Sequence, residues 1–268
     1  MIDEENVFLE EVTKLYSGVK PHYDEDKLKE TYGDKFLVAF VDILGFSSMI
    51  ENDPKGERFI PMIDNAIKAA FHYANTIRNM GNPTNLNYRV FSDNICFWMP
   101  LNYHTLSLSV MISVLSEFQL GLLSSGVLCR GGLAVGYHYA SEYILYGSAL
   151  VEAVRLEHTA IYPCISLSTS IVEDINLVRI PLQFHQYHKL TYDGPWFVNY
   201  LSKIFFVEKE SGLRIIEQHH NIITEKMREF DDSPRILSKY TWIANYHNDL
   251  INMIKFKDEC AVIKNPGT

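Results

Sequence analysis

One stretch narrows the folding choices more than any other: Phe36-Leu-Val-Ala-Phe-Val-Asp42-Ile-Leu-Gly45-Phe46-Ser47. Its first six residues are all apolar and run directly into an aspartate. A continuous apolar run, without alternation, suits a strand buried on both faces of a sheet. A carboxylate at the end of such a strand is costly at the rim of a core unless it has a partner or a task. Taken alone, an aspartate before a glycine turn also serves as the cap of a following helix. A second stretch argues for more: Tyr88-Arg-Val-Phe-Ser-Asp93-Asn-Ile-Cys-Phe-Trp98 is another strand interrupted by an aspartate, 51 residues further on.

Between and after these stretches the pattern predicts alternating elements. Ile60, Ile63, Ile67, Ala70, Phe71 and Ala74 recur at helical spacing, predicting a helix from about Phe59 to Arg78. Met80 to Asn85 is a loop, and 86–99 reads as two strands around a turn at Asp93-Asn94. A helix follows over Leu101–Ser124, stopped by Ser125-Gly126. Strands are expected over Val127–Tyr137, Tyr143–Tyr146 and Ile161–Leu167, with a helix opened by Gly147-Ser148 between the last two. Ser168 caps a short helix through Ile175. A hairpin-like pair is expected near 182–190 and 203–216, with 207–212 as a turn; from Ile215 to Phe256 the period is helical, broken at Asp232-Ser-Pro234. The order β-α-β-β-α-β predicts an α+β, ferredoxin-like fold with helices on one face of a mainly antiparallel sheet. The expected division is an N-terminal arm over 1–34, a main domain over 35–214, and a C-terminal helical extension over 215–268 packed on the core.

Composition excludes several classes. A net charge of −9 argues against a nucleic-acid surface, which needs a basic stripe. The chain is 47% apolar and 13% aromatic, so it folds rather than staying disordered. Cys96, Cys129, Cys164 and Cys260 form no metal-binding cluster, and three sit in apolar runs, as reduced core residues do. No apolar patch reaches the length of a membrane span, and the Met1-Ile-Asp-Glu-Glu start lacks the features of a signal peptide. The expectation is a cytoplasmic protein without membrane attachment.

In a β-α-β-β-α-β core, the end of the first strand lies beside the hairpin of strands two and three. Asp42 and Asp93 should therefore converge. Two carboxylates without a basic neighbour repel each other and invite divalent cations, and hard oxygen donors favour Mg²⁺ or Mn²⁺. The backbone N–H groups of Gly45, Phe46 and Ser47 could meet a phosphate at a helix start. Together these features point to phosphoryl chemistry on a nucleoside triphosphate. Arg130, before Gly131-Gly132, is expected to be a strand arginine flanking the core; Ser92 and Asn94 are expected to make the turn. His219-His220, and His185 with His188 and Gln186, have no partners at metal spacing and read as surface or packing residues.

Asp42-Ile-Leu-Gly-Phe-Ser47, Ser92-Asp93 and Gly147-Ser-Ala-Leu-Val-Glu-Ala-Val-Arg155-Leu-Glu157 resemble, in order and spacing, the signature of class III nucleotidyl cyclases over about residues 36–170. The resemblance implies two divalent ions held by Asp42, Asp93 and the backbone carbonyl of Ile43. It also implies a homodimer with two composite sites, one protomer supplying the metal carboxylates and the other the base readers and catalytic Arg155. The implied reaction is attack of the ribose 3′-hydroxyl on the α-phosphate, giving a 3′,5′-cyclic nucleotide and pyrophosphate.

The departures from that signature are informative. Arg89 stands where purine cyclases carry a lysine or glutamate, Ile144 where they carry an aspartate or cysteine, and Val151 where they carry an asparagine. The purine readers are gone while Arg155 remains. That combination resembles the pyrimidine cyclases of bacterial Pycsar anti-phage defence, which make cyclic UMP or cyclic CMP for a separate effector. Arginine donates hydrogen bonds and accepts none, so at the base edge it favours the O4 acceptor of uracil over the amino group of cytosine. UTP is thus preferred to CTP. A cyclase-fold module without catalysis, acting as a regulatory or binding partner, is the alternative, and Val151 is its best support.

Overall fold

The computed structural model describes residues 35–79, 85–101, 104–178, 187–188, 194–205 and 207–264. The arm over 1–34, most of the 80–85 loop, and His185 with Gln186 lie outside them. The elements run β1 (Lys35–Ile43), α1 (Phe46–Asn52), α2 (Phe59–Asn79), β2 (Asn87–Phe91), β3 (Asn94–Pro100), α3 (His104–Leu123) and β4 (Cys129–Tyr137). They continue with β5 (Tyr139–Ala140), β6 (Leu145–Tyr146), α4 (Ser148–Thr159), β7 (Ile165–Leu167), α5 (Thr169–Val178), β8 (Tyr187–His188), β9 (Phe197–Val198), α6 (Lys209–Glu229) and α7 (Pro234–Met253).

The main sheet has the order β2-β3-β1-β4-β7-β9-β8, and β5 and β6 form a separate pair. β1 runs antiparallel to both β3 and β4, and β2 antiparallel to β3. These four strands, with the connecting helices, are the expected ferredoxin-like α+β arrangement. β7 extends it, parallel to β4.

The unbroken apolar run of β1 is explained by its central place. Leu37, Ala39, Val41 and Ile43 enter the core beneath α2 and α3. Val38 and Phe40 face the other way, onto Cys96, Ala134 and the Ala149 and Ala153 side of α4. The expectation of helices on one face only is corrected here: α4 covers the second face over β1 and β4. It does so because its buried stripe is small. Ala149, Ala153 and Glu157, at four-residue spacing, are its buried residues. Opposite them stand Gly136 and Gly132, and a Cβ at Gly132 would collide with the Ala153 carbonyl and the Leu156 side chain.

A second correction concerns the C-terminal third. Among the described residues Tyr187–His188 pairs with Phe197–Val198, and no part of 203–216 is a strand; the rest of the expected 182–190 segment lies outside the described residues. Ser202–Phe205 is a short 3₁₀ turn, and α6 begins at Lys209, so 207–212 leads into a helix and a boundary at 215 falls inside one. Helical period wins there because Gly212, Ile216, His219, Ile223 and Met227 make one buried stripe. α6 and α7 share a core with Leu123, Cys164, Phe197 and Tyr200, so the extension is packed on the sheet. Cys96, Cys129 and Cys164 are buried free thiols and Cys260 is half-buried; burial pushes Cys96 and Cys164 up to about 12. No helix among the described residues is long and apolar enough to cross a membrane.

Candidate active site

Strand parity decides which way the first aspartate points. Asp42 shares the face of Val38 and Phe40, on the side covered by α4, and its register partners are Asn94 on β3 and Arg130 on β4. The Ile43 N–H donates to the Asp93 carbonyl at 2.9 Å, fastening the end of β1 to the β2–β3 turn. In that turn Ser92 takes φ 60° and Asn94 Nδ2 donates to Asp93 Oδ1 at 2.8 Å, the turn-making roles expected of them. Asp93 comes close enough to Asp42 for its charge to act on it. Burial chiefly, with that repulsion, holds Asp42 above the ordinary carboxylate range, against the pull of Arg130.

Arg130 overturns the expectation of a pair without a basic neighbour. Its Nε donates to Asp42 Oδ2 at 3.0 Å and stands 2.8 Å from Glu157 Oε1. Nε carries one hydrogen, which goes to Asp42, and Glu157 Oε1 is left buried without a hydrogen bond. Nη1 donates to the Ala160 carbonyl at 3.3 Å. Burial raises Glu157 as well, with Arg130 opposing and Asp42 adding to the rise. The local group is therefore two carboxylates, Asp42 and Glu157, on one guanidinium.

Gly45 follows in the left-handed region, φ 83°, which turns the chain sharply into α1. Phe46 and Ser47 are the first residues of α1, whose ring contact with α2 is Phe46 to Phe59, centroids 5.1 Å apart. The Leu44 N–H donates to the Leu128 carbonyl, so this turn is tied to the start of β4.

The two expected base-reading positions come together at another hairpin. Arg89 Nη2 donates to the Ser141 carbonyl and, at 2.9 Å, to the Glu142 carbonyl. Ile144 closes the same hairpin: its N–H meets Ser141 Oγ at 3.1 Å and its carbonyl accepts from the Ser141 N–H. Ile144 and Val151 are exposed, as are Tyr88, Tyr137, Tyr139 and Tyr143. Arg155 is not brought to the carboxylates of its own chain. It lies two residues before Glu157, and so on the opposite side of α4, paired with Glu152 at 2.7 Å and 68% exposed.

Reading the sequence alone missed three contributors. By pattern Arg130 reads as a strand arginine flanking the core, with triphosphate as its other partner, Glu157 reads as a surface partner of Arg155, and α7 carries no site residue. The spacing Ala149–Ala153–Glu157 was the one available signal for Glu157, since it places an acidic residue on an otherwise buried stripe. From α7, Lys239 comes close enough to Arg130 and Asp42 for their charges to act on it. Among the described residues, no group of three or more His, Cys, Asp and Glu side chains is arranged to hold a metal ion.

No family model matches the chain, and no curated protein matches it. Among solved structures it is similar to the guanylyl cyclase domain of the RhoGC fusion protein from the aquatic fungus Blastocladiella emersonii, at 16% identity and a TM-score of 0.42 over 62% of this chain and 94% of that one. It is similar also to the catalytic core of a rhodopsin-guanylyl cyclase with converted specificity, at 14% identity and a TM-score of 0.40 over 62% and 96%. A third similar structure is the adenylyl cyclase CyaB from P. aeruginosa, at 14% identity and a TM-score of 0.37 over 61% and 93%.

Proposed function

We propose that the chain is a homodimeric nucleotidyl cyclase that converts a pyrimidine nucleoside triphosphate, UTP in preference to CTP, to its 3′,5′-cyclic monophosphate and pyrophosphate. The observation that carries this reading is the tie between the end of β1 and the β2–β3 turn, which puts Asp42 and Asp93 at one end of the sheet, beside the tight turn at Gly45. The charges there fit divalent cations. Asp42 and Glu157 share one guanidinium, so one negative charge is left over beside Asp93, and carboxylate oxygens are hard donors suited to Mg²⁺ or Mn²⁺. Asp42, Asp93 and the Ile43 carbonyl would hold the ions, which supply positive charge where negative charge builds on the reacting phosphates.

The remaining work falls to the chain itself. Gly45, Phe46 and Ser47 would present backbone N–H groups to phosphate oxygens. A bond forms between the ribose 3′-oxygen and the α-phosphorus, the bond to the bridging oxygen breaks, and the hydroxyl proton leaves to solvent. Arg155 would steady the charge of that transition state in the site of the other protomer. Its exposure, and its pairing only with a neighbour on its own helix, support a role outside its own chain. Exposed Tyr143, Ile144, Tyr146 and Val151 form the kind of apolar surface that a second copy covers.

Arg89 supports the choice of base. Both hydrogens of one terminal nitrogen are aimed at the Ser141 and Glu142 carbonyls, which fixes the fork and leaves three donors for an acceptor-bearing edge. Mispairing with cytosine would cost about 1–3 kcal/mol for one unpaired buried group. The product would act as a second messenger for a separate effector in anti-phage defence, as the resemblance at Arg89 and Ile144 suggests.

One observation favours the alternative of a regulatory module without catalysis: Arg130 already neutralises Asp42. Incubation with each of the four ribonucleoside triphosphates and Mn²⁺, read by mass spectrometry, separates the two. Cyclic UMP from the wild type, and none from Asp42→Ala or Asp93→Ala, is the expected result. No cyclic product from any nucleotide leaves the regulatory reading, and a purine product overturns the role given to Arg89.

A further inference from the structure

The C-terminal helices close a cavity against the turn that follows β1. It measures about 710 Å³; Gly45 and Ser48 line one side, and Lys226, Arg235, Lys239 and Tyr240 of α6 and α7 line the other. That volume is of the size that small-molecule sites occupy. Lys226 is matched by Glu229 at 2.6 Å, so its charge is already compensated. Arg235 and Lys239 lie one turn apart on α7, and neither has an ion-pair partner among the described residues. Arg130 stands near Lys239, but Asp42 and Glu157 already take up its charge. Burial first, then repulsion from Arg130 and Arg235, lowers Lys239 from its ordinary value, with Asp42 pulling the other way. Two neighbouring cations without a carboxylate partner repel each other, and an anion between them turns that repulsion into attraction.

We infer that Arg235 and Lys239 form a phosphate-binding wall, supplied by the C-terminal helices to the site of their own chain, which takes the polyphosphate tail of the nucleotide. The inference rests on the cyclase reading for the identity of the ligand, but not for the existence of an anion site. The tail would enter between the Gly45 turn and α7, with its reacting end toward Asp42. The extension is then part of the substrate site as well as a support for the sheet. It also links occupancy of the cavity to the packing of α6 and α7 on the core.

The test is calorimetric titration with inorganic tripolyphosphate, run on the full chain without metal and with Mg²⁺. The proteins compared are the wild type, Arg235→Gln, and Arg235→Gln with Lys239→Met, which keeps the packed stem of Lys239. Binding by the wild type, weakened about tenfold by the single change and about a hundredfold by the double, is the expected result. Arg235 is exposed, so the single variant decides the matter should the double fail to fold. Wild-type affinity in Arg235→Gln, or no binding by the wild type, overturns the inference. If the variants lose tripolyphosphate while the wild type cyclises none of the four nucleotides, the anion site stands and the cyclase reading fails.

Discussion

Arg130 holds Asp42 with its single Nε hydrogen while a nearly buried Glu157 leans on the same nitrogen. Removing it would leave two desolvated carboxylates facing each other with Asp93 alongside. Arg130→Met is therefore expected to destabilise the fold by about 3 kcal/mol, read by chemical denaturation at neutral pH. The additional change Glu157→Gln should restore part of that loss by removing one of the unpaired charges; an Arg130→Met protein as stable as the wild type would show that the pairing contributes nothing. The aspartates were legible in the sequence because each interrupts an apolar strand. Their arginine was not: 88 residues separate Asp42 from Arg130, and only the antiparallel register of β1 on β4 sets them side by side.

Elements obey the same division between local and distant causes. β1, β2, β3 and α2 lie close to where hydrophobic period and turn residues put them. The misplaced hairpin over 203–216 arose because Ile204, Phe205, Leu213, Ile215 and Ile216 alone do not distinguish a short strand from the start of a helix, and it is the shared core with Tyr200 and Tyr246 that selects α6. Closely packed elements also depend on residues too small to show a pattern. Gly132→Ala is expected to cost about 2 kcal/mol by forcing α4 away from β4, with the loss visible as a lowered unfolding midpoint.

α6 and α7 are joined by a polar chain. Tyr200 Oη and His219 Nε2 are 2.9 Å apart, His219 Nδ1 and His247 Nδ1 2.9 Å, and His247 Nε2 and the Ala261 carbonyl 3.1 Å. A carbonyl only accepts, so His247 donates from Nε2 and accepts at Nδ1, His219 donates to it, and Tyr200 donates to His219. With both rings neutral every link is satisfied, and burial disfavours adding a charge. Burial lowers both, His247 to about 4. A folded value below the unfolded 6.5 means that the unfolded chain binds more protons between the two. Stability from this pair should be full above about 6.5 and decline as pH falls toward about 4. Melting temperatures from pH 7.5 to 4.5 should show this decline, and His247→Gln should make it shallower; an unchanged slope would contradict the assignment.

At the scale of the molecule, one chain carries both halves of the proposed chemistry without joining them. Asp42 lies on the face of β1 that α4 covers, with Asp93 in the adjoining turn, whereas Arg155 faces solvent on the far side of α4. A composite dimer accounts for that separation. Mixing Asp42→Ala protomers with Arg155→Ala protomers should recover activity that neither shows alone, since a mixed dimer holds one intact site; no recovery would exclude a shared site. The most direct measurement for the central claim is a Mn²⁺ titration followed by electron paramagnetic resonance, with UTP present, on the wild type, Asp42→Asn and Asp93→Asn. The wild type is expected to bind the ion and each variant to bind it about tenfold or more weakly. Equal Mn²⁺ binding by all three proteins would contradict it.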